Sequence, residues 1–188
     1  MTLTTLDPNT ALLVVDLQKG IVGMAPAEAI GAVVERAKTL VDAFRAARLP
    51  IVLINVVGGA PGRTEQSRRL PDTLPEGFAD FIPELGQQPS DIVVTKRTWG
   101  AFASTDIEAR LKAIGVTQVV VIGVATGTGV EATARQAYEA GFNVTLAIDA
   151  MTDPRAEAHA YSIGHVFPRL GETGTSQDII DLLPKRNA

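Results

Sequence analysis

An α/β domain with a parallel sheet is predicted by three observations. Apolar, β-branched runs alternate with amphipathic stretches along the chain. The runs lack the apolar/polar alternation of half-exposed strands, as parallel strands buried on both faces require. The 188 residues are 46% hydrophobic, enough for one two- or three-layer domain, three-layer α/β/α where helices cover both faces of the parallel sheet, and too few for two ordinary domains. The whole chain, 1–188, is therefore expected to be one domain with six strands and right-handed crossovers.

The first strand is the run from Ala11 to Leu17, which ends in Asp16-Leu17-Gln18. From Ala27 to Arg48, Ile30, Val33, Val34, Ala37, Leu40, Val41 and Phe44 recur at helical spacing between charged residues, giving an amphipathic crossover helix. Pro50 stops it, and Ile51 to Val57 is the second strand. Gly58 to Ser90 is rich in proline and glycine and reads as an irregular excursion, with a helical turn expected around Phe78 to Ile82. An excursion of that length inside a compact domain points to a binding-site wall or an oligomer contact.

Asp91 to Thr95 is the third strand, followed by Lys96. Thr105-Asp106-Ile107-Glu108 has the pattern of a capping box opening a short helix that Gly115 closes. Thr117 to Ile122 is the fourth strand, and Val130 to Ala140 the next helix, with Glu131 and Arg135 paired four residues apart. Phe142 to Ile148 is the fifth strand. Asp153-Pro154 reads as the N-cap and first residue of a helix reaching about His165; Thr175 caps a last helix ending before Pro184. A short sixth strand is expected near Arg169 to Glu172.

Composition narrows the chemistry. Seventeen basic against 21 acidic residues give a net charge of -4 without a basic block, which argues against a nucleic-acid surface. No apolar run reaches membrane-spanning length, and MTLTTLDPNT has neither a basic start nor an apolar signal core, so a cytoplasmic location is expected. Without cysteine there are no disulfides, thiolate metal sites or thiol nucleophile. The two histidines, His159 and His165, are six apart and do not share a helical face as i,i+4 ligands do; both are assigned structural roles, and no metal is expected.

The most informative stretch is QVVVIGVATGTGVEATAR, Gln118 to Arg135, an apolar strand that enters a glycine-rich turn and then a helix. Such a turn gathers backbone N–H groups and a helix N-terminus at one spot, which favours negative charge. Its glycine spacing matches neither the dinucleotide G-x-G-x-x-G nor the P-loop, so nucleotide binding is a weak reading. Asp16 leaves its strand at the carboxyl edge, where burial raises a carboxyl pKa and a nearby lysine lowers it. Capping of the following loop is the plain alternative. Lys96 ends its own strand and is either a solvated lysine or the partner of Asp16. Trp99 and Phe102, in KRTWGAF, either wall a substrate pocket or fill core or an oligomer contact. Turn and cap duties account for Asp149 and Asp153.

Taken together, ALLVVDLQ, KRTWGAF, GVATGTGVEATARQAYEAGF and the IDAMTD region resemble the isochorismatase-like hydrolase family, across almost the whole chain. The resemblance implies strand order 3-2-1-4-5-6, which puts a topological switch, and hence a ligand crevice, between strands 1 and 4. It implies Asp16 and Lys96 as catalytic residues and a non-proline cis peptide between Val124 and Ala125. Val124, Ala125, Gly129, Gln18, Trp99 and Phe102 are then candidates for the oxyanion and substrate contacts. In the family's cysteine branch the nucleophile stands where this chain has Gly129. True isochorismatases, which cleave an enol-pyruvyl ether, resemble the chain in carrying glycine there. Nicotinamidases, which bind metal, have Asp-x-His after strand 2, where this chain reads NVVGGAPG.

A cofactor-free hydrolase of a small molecule follows from the resemblance, with Asp16 as general acid in vinyl-ether hydrolysis. The competing expectation is a binding protein that has the pocket and lacks catalysis. The siderophore-type enzymes tend to have an aromatic residue and a histidine in the turn, and this chain does not. A homodimer or higher homo-oligomer is expected on the resemblance and on the long excursion.

Overall fold

The computed structural model describes residues 3–25, 27–66, 70 and 73–184. Six parallel strands form one sheet in the order β3-β2-β1-β4-β5-β6: β1 Thr10–Val15, β2 Ile51–Val56, β3 Ile92–Lys96, β4 Gln118–Val124, β5 Asn143–Thr152 and β6 Glu172–Gly174. Every residue of β1, β2 and β4 is buried, which is why those segments read as unbroken apolar runs. The helices are α1 Lys19–Val22, α2 Ala27–Ala46, α3 Ile107–Ala113, α4 Glu131–Glu139, α5 Ala156–Tyr161 and α6 Ser176–Leu182. Strand order and three-layer architecture are those expected.

Alternate residues of each strand feed two cores. Leu13, Val15, Val52 and Val121 pack with Ile107 and Leu111 of α3 and Ala134 and Ala137 of α4. On the other face Leu12, Val14, Leu53 and Ile122 pack with Leu40, Val41 and Phe44 of α2 and Ile179 of α6. At roughly 25 cal/mol per Å² of apolar surface removed from water, this two-sided burial is the main force that fixes the sheet. The edge at which the strands end is thereby held rigidly.

Several boundaries differ from expectation, each for a tertiary reason. Strand β5 runs four residues past Ile148, because its pairing with β4 re-registers between Val121 and Gly123 and resumes as Gly123↔Met151 and Val124↔Thr152. Asp149 thus lies within the strand, where its carboxylate takes hydrogen bonds from Ser176 N (2.7 Å), Ser176 Oγ (2.8 Å) and Arg36 Nε (3.0 Å). Asp153 is not the cap of α5: one of its oxygens accepts from Gly127 N, the other from Arg155 N, and the helix starts later at Ala156. That helix ends at Tyr161 and continues as a π-turn, Ser162–Val166, and a 3-10 turn, Phe167–Arg169, which displaces β6 to Glu172–Gly174.

Between β4 and α4 the chain makes a π-turn, Thr126–Val130, so the helix begins one residue later than its sequence suggests. The capping box expected at Thr105 does not form, and the residue that precedes the helix is Asp106. The Thr105 hydroxyl accepts from Ile107 N (3.2 Å), whereas Glu108 pairs with Lys112. The box at Thr175 is complete, with Asp178. Around Phe78 the excursion makes hydrogen-bonded turns, Phe78 N to Pro75 O and Asp80 N to Gly77 O (both 3.1 Å), and its 3-10 helix falls on Pro83–Leu85, with proline as the first residue.

Candidate active site

Asp16 and Lys96 come from strands separated in the sheet by β2, and they meet at its carboxyl edge. Lys96 Nζ lies 2.8 Å from Asp16 Oδ2 and also donates to Thr98 O at 3.2 Å. Both residues are buried, Lys96 to 1% exposure and Asp16 to 6%. Lysine is rarely buried so completely unless paired, and its long stem is what spans β2. Asp16 adopts φ +55°, a left-handed conformation that aspartate tolerates better than most residues. Its N–H still bonds Ile54 O at 2.9 Å, so the turn away from the strand begins at this residue.

Burial pushes the Asp16 carboxyl up to about 6, against the opposing pull of the Lys96 charge and hydrogen bond. Its second oxygen, Oδ1, is buried and has no hydrogen-bond partner among the described residues. One oxygen of this carboxyl is therefore committed to lysine and the other is free.

Gly129 packs directly on the pair. A Cβ at this position would stand 3.1 Å from Asp16 Oδ2, 3.1 Å from Val124 O and 3.2 Å from Val15 Cγ1. A side chain at position 129 would thus face the acid. The peptide between Val124 and Ala125 is cis, and Ala125 O accepts from both Thr128 N and Val130 N at 3.1 Å, which closes the turn. Gly123 allows the approach of β4 to β1: φ is +113°, and a Cβ would lie 2.0 Å from Val15 O.

The remaining candidates separate. The amide of Gln18 is spent on the backbone: Oε1 accepts from Val56 N (2.6 Å), and Nε2 donates to Val56 O (3.0 Å) and Phe78 O (3.2 Å). Gln18 thereby ties the excursion to the end of β2. Phe102 packs against the α3/α4 core, 5.9 Å from the Phe142 ring. Trp99 is 66% exposed, so it does not fill core.

Residues not singled out as site residues by sequence join the two halves of the site. Thr133 donates to Gly129 O (2.7 Å) and accepts from Ala101 N (3.2 Å), and Gln136 accepts from Phe102 N (2.9 Å), so α4 fixes both the turn and the loop after Lys96. His159 Nδ1 is 2.8 Å from Thr126 Oγ1, and Ser162 Oγ donates to Glu131 at 2.6 Å. A threonine or glutamine in the first or second turn of a helix carries no local signal of this kind. Its partner is chosen by the fold.

Among the described residues, no three histidine, aspartate or glutamate side chains gather as a metal-ligand set. Two surface hollows, about 220 and 290 Å³, share Tyr138 and Leu170 near the amino end of β5. Neither is lined by Asp16, Lys96 or Gly129.

A family model described as Isochorismatase domain matches residues 10–178. The chain is 39% identical over 179 residues to the uncharacterized isochorismatase family protein YwoC of Bacillus subtilis, covering 92% of this chain and 93% of that one. It is 31% identical over 172 residues to Nicotinamidase 3 of Arabidopsis thaliana, covering 81% and 79%. Among solved structures, an isochorismatase family protein from Burkholderia thailandensis superposes with a TM-score of 0.88 at 37% identity, over 95% of this chain and 97% of that one.

Proposed function

The chain belongs to the isochorismatase family of hydrolases, and from that premise we propose that it hydrolyses a vinyl ether in a small molecule, with Asp16 as general acid and no covalent intermediate. One observation carries this reading. A buried carboxyl, raised to about 6 and with one oxygen unpartnered, sits beside a residue that has no side chain. A proton donor that works near neutral pH needs a carboxyl raised toward that range, and burial supplies the shift.

Asp16 delivers its proton to the terminal carbon of the vinyl group, leaving an oxocarbenium ion. Water adds to the carbon that bears the ether oxygen, and its proton returns to Asp16. The resulting hemiketal collapses to an alcohol and a methyl ketone, so one water is consumed and no electrons are exchanged. Lys96 steadies the carboxylate left after donation. Without it, that buried charge would be uncompensated.

The backbone of Val124, Ala125 and Gly129 contacts the substrate's oxygens, and exposed Trp99 stands at the rim. No cofactor takes part. Turnover is expected to persist in chelator, and restoration of lost activity by zinc or manganese would contradict this. The working form is a cytoplasmic homodimer or larger homo-oligomer, to be checked by light scattering at micromolar concentration.

The second reading, a binding protein without turnover, is favoured by the absence of any thiol in a chain whose relatives include a nicotinamidase. A panel of vinyl ethers and small amides, assayed on wild type and Asp16→Asn, separates the two. Turnover of a vinyl ether that Asp16→Asn abolishes supports the acid mechanism. Turnover untouched by Asp16→Asn overturns it, and ligand binding without turnover of any compound identifies the binding protein.

A further inference from the structure

The turn Thr126–Val130 sets how closely the backbone lies over Asp16, yet Gly127 and Gly129 give it no anchoring side chains of their own. Its anchors come from the segment after β5. Asp153 Oδ2 accepts from Gly127 N (2.9 Å), His159 Nδ1 bonds Thr126 Oγ1 (2.8 Å), and Ser162 Oγ donates to Glu131 (2.6 Å) at the start of α4. A Cβ on Gly127 would stand 3.2 Å from Ala158 Cβ, so α5 is also in van der Waals contact with the turn. On the opposite side the turn touches Asp16 through Gly129. The turn is thus clasped between an outer helix and the buried acid.

Of the three anchors, His159 differs in kind. Its partner Thr126 is fully buried and directly follows the residue whose carbonyl closes the turn, while His159 itself is half-buried on α5. The sequence reading gave this histidine only a structural part, and the acid mechanism does not use it. We propose that His159 is a positioning residue that acts through Thr126, holding the 126–129 turn down on Asp16 and so keeping water off the carboxyl that donates the proton. The inference deepens the proposed function and rests on it for its meaning, but the device itself is defined by geometry.

Its consequence follows from the cause of the Asp16 shift. Burial is what raises that carboxyl, and among the described residues Lys96 is the charge acting on it; the turn above it brings only Val124 O and Gly129, neither titratable. Loosening the turn admits water and lowers the Asp16 midpoint without moving Lys96. Because the bond is made by Nδ1, asparagine, whose amide reaches about as far as Nδ1, should replace it. Glutamine, whose amide sits farther out where Nε2 would be, should not.

The test is carbon-13 NMR titration of the Asp16 carboxyl in wild type, His159→Ala, His159→Asn and His159→Gln, which needs no substrate. The expected result is a midpoint lowered on the order of one pH unit in His159→Ala and His159→Gln, and restored in His159→Asn. Should His159→Ala fail to fold, Thr126→Val breaks the same bond from the other side and should show the same shift. An Asp16 midpoint unmoved by His159→Ala or Thr126→Val overturns the proposal, as does failure of asparagine to restore it. A moved midpoint together with turnover insensitive to Asp16→Asn would leave the clasp standing and remove the acid mechanism instead.

Discussion

The two sides of the site are built from opposite materials. On the side of β1 and β3 two ionisable side chains are buried against each other, and their chemistry is set by charge and desolvation. On the side of β4 the turn offers Gly123, Ala125, Gly127 and Gly129, with no ionisable group from Val124 to Val130, and its contribution is shape. A change of chemistry should therefore tell on the acid side, and added volume on the glycine side. A cysteine at position 129 would combine both properties in one residue. This chain keeps them apart.

The largest effect should follow from a change of chemistry on the acid side. Asp16→Asn keeps the volume and removes the proton, so turnover should fall by about 10² to 10⁴-fold with the circular-dichroism spectrum unchanged. Next, Gly123 on the glycine side should fail in stability rather than in chemistry. Gly123→Ala puts a methyl 2.0 Å from Val15 O at φ +113°, and a loss of more than about 3 kcal/mol in denaturant unfolding is expected. An alanine there that cost nothing would break the comparison.

Gly129→Ala is milder. Its methyl would meet Asp16 Oδ2 and Val124 O at 3.1 Å, so a shift of a few tenths of an ångström relieves it, and turnover should drop about tenfold with stability nearly intact. Smallest is a linkage effect. The native state holds the Asp16 proton to about 6 and the unfolded chain only to about 3.8, so Asp16's contribution to stability is full below 3.8 and is lost as pH rises through about 6. Stability curves of wild type and Asp16→Asn should therefore diverge across that window and run parallel on either side.

What was legible in the sequence was what local pattern encodes. Buried strands read as apolar runs, and Asp16 and Lys96 stood at strand ends where polarity breaks into those runs. What was not legible depends on partners far along the chain. Nothing near Gln18 in sequence reveals that its amide bonds Val56 and Phe78. The extra length of β5 comes from a register shift against β4, and the late start of α5 from Asp153 being drawn to Gly127. The spacing of His159 from His165 excludes a shared ligand face and points to a structural role. Spacing carries no information about Thr126, 33 residues away.

The most direct test of the central claim, that Asp16 is the proton donor, is the pH dependence of vinyl-ether turnover in wild type and Asp16→Asn. Wild-type turnover should be level below about 6 and then fall about tenfold per pH unit, because only the protonated carboxyl is active. Asp16→Asn should be slower and show no such fall. A wild-type rate that rises with pH through this range, or an Asp16→Asn rate equal to it, would contradict the claim.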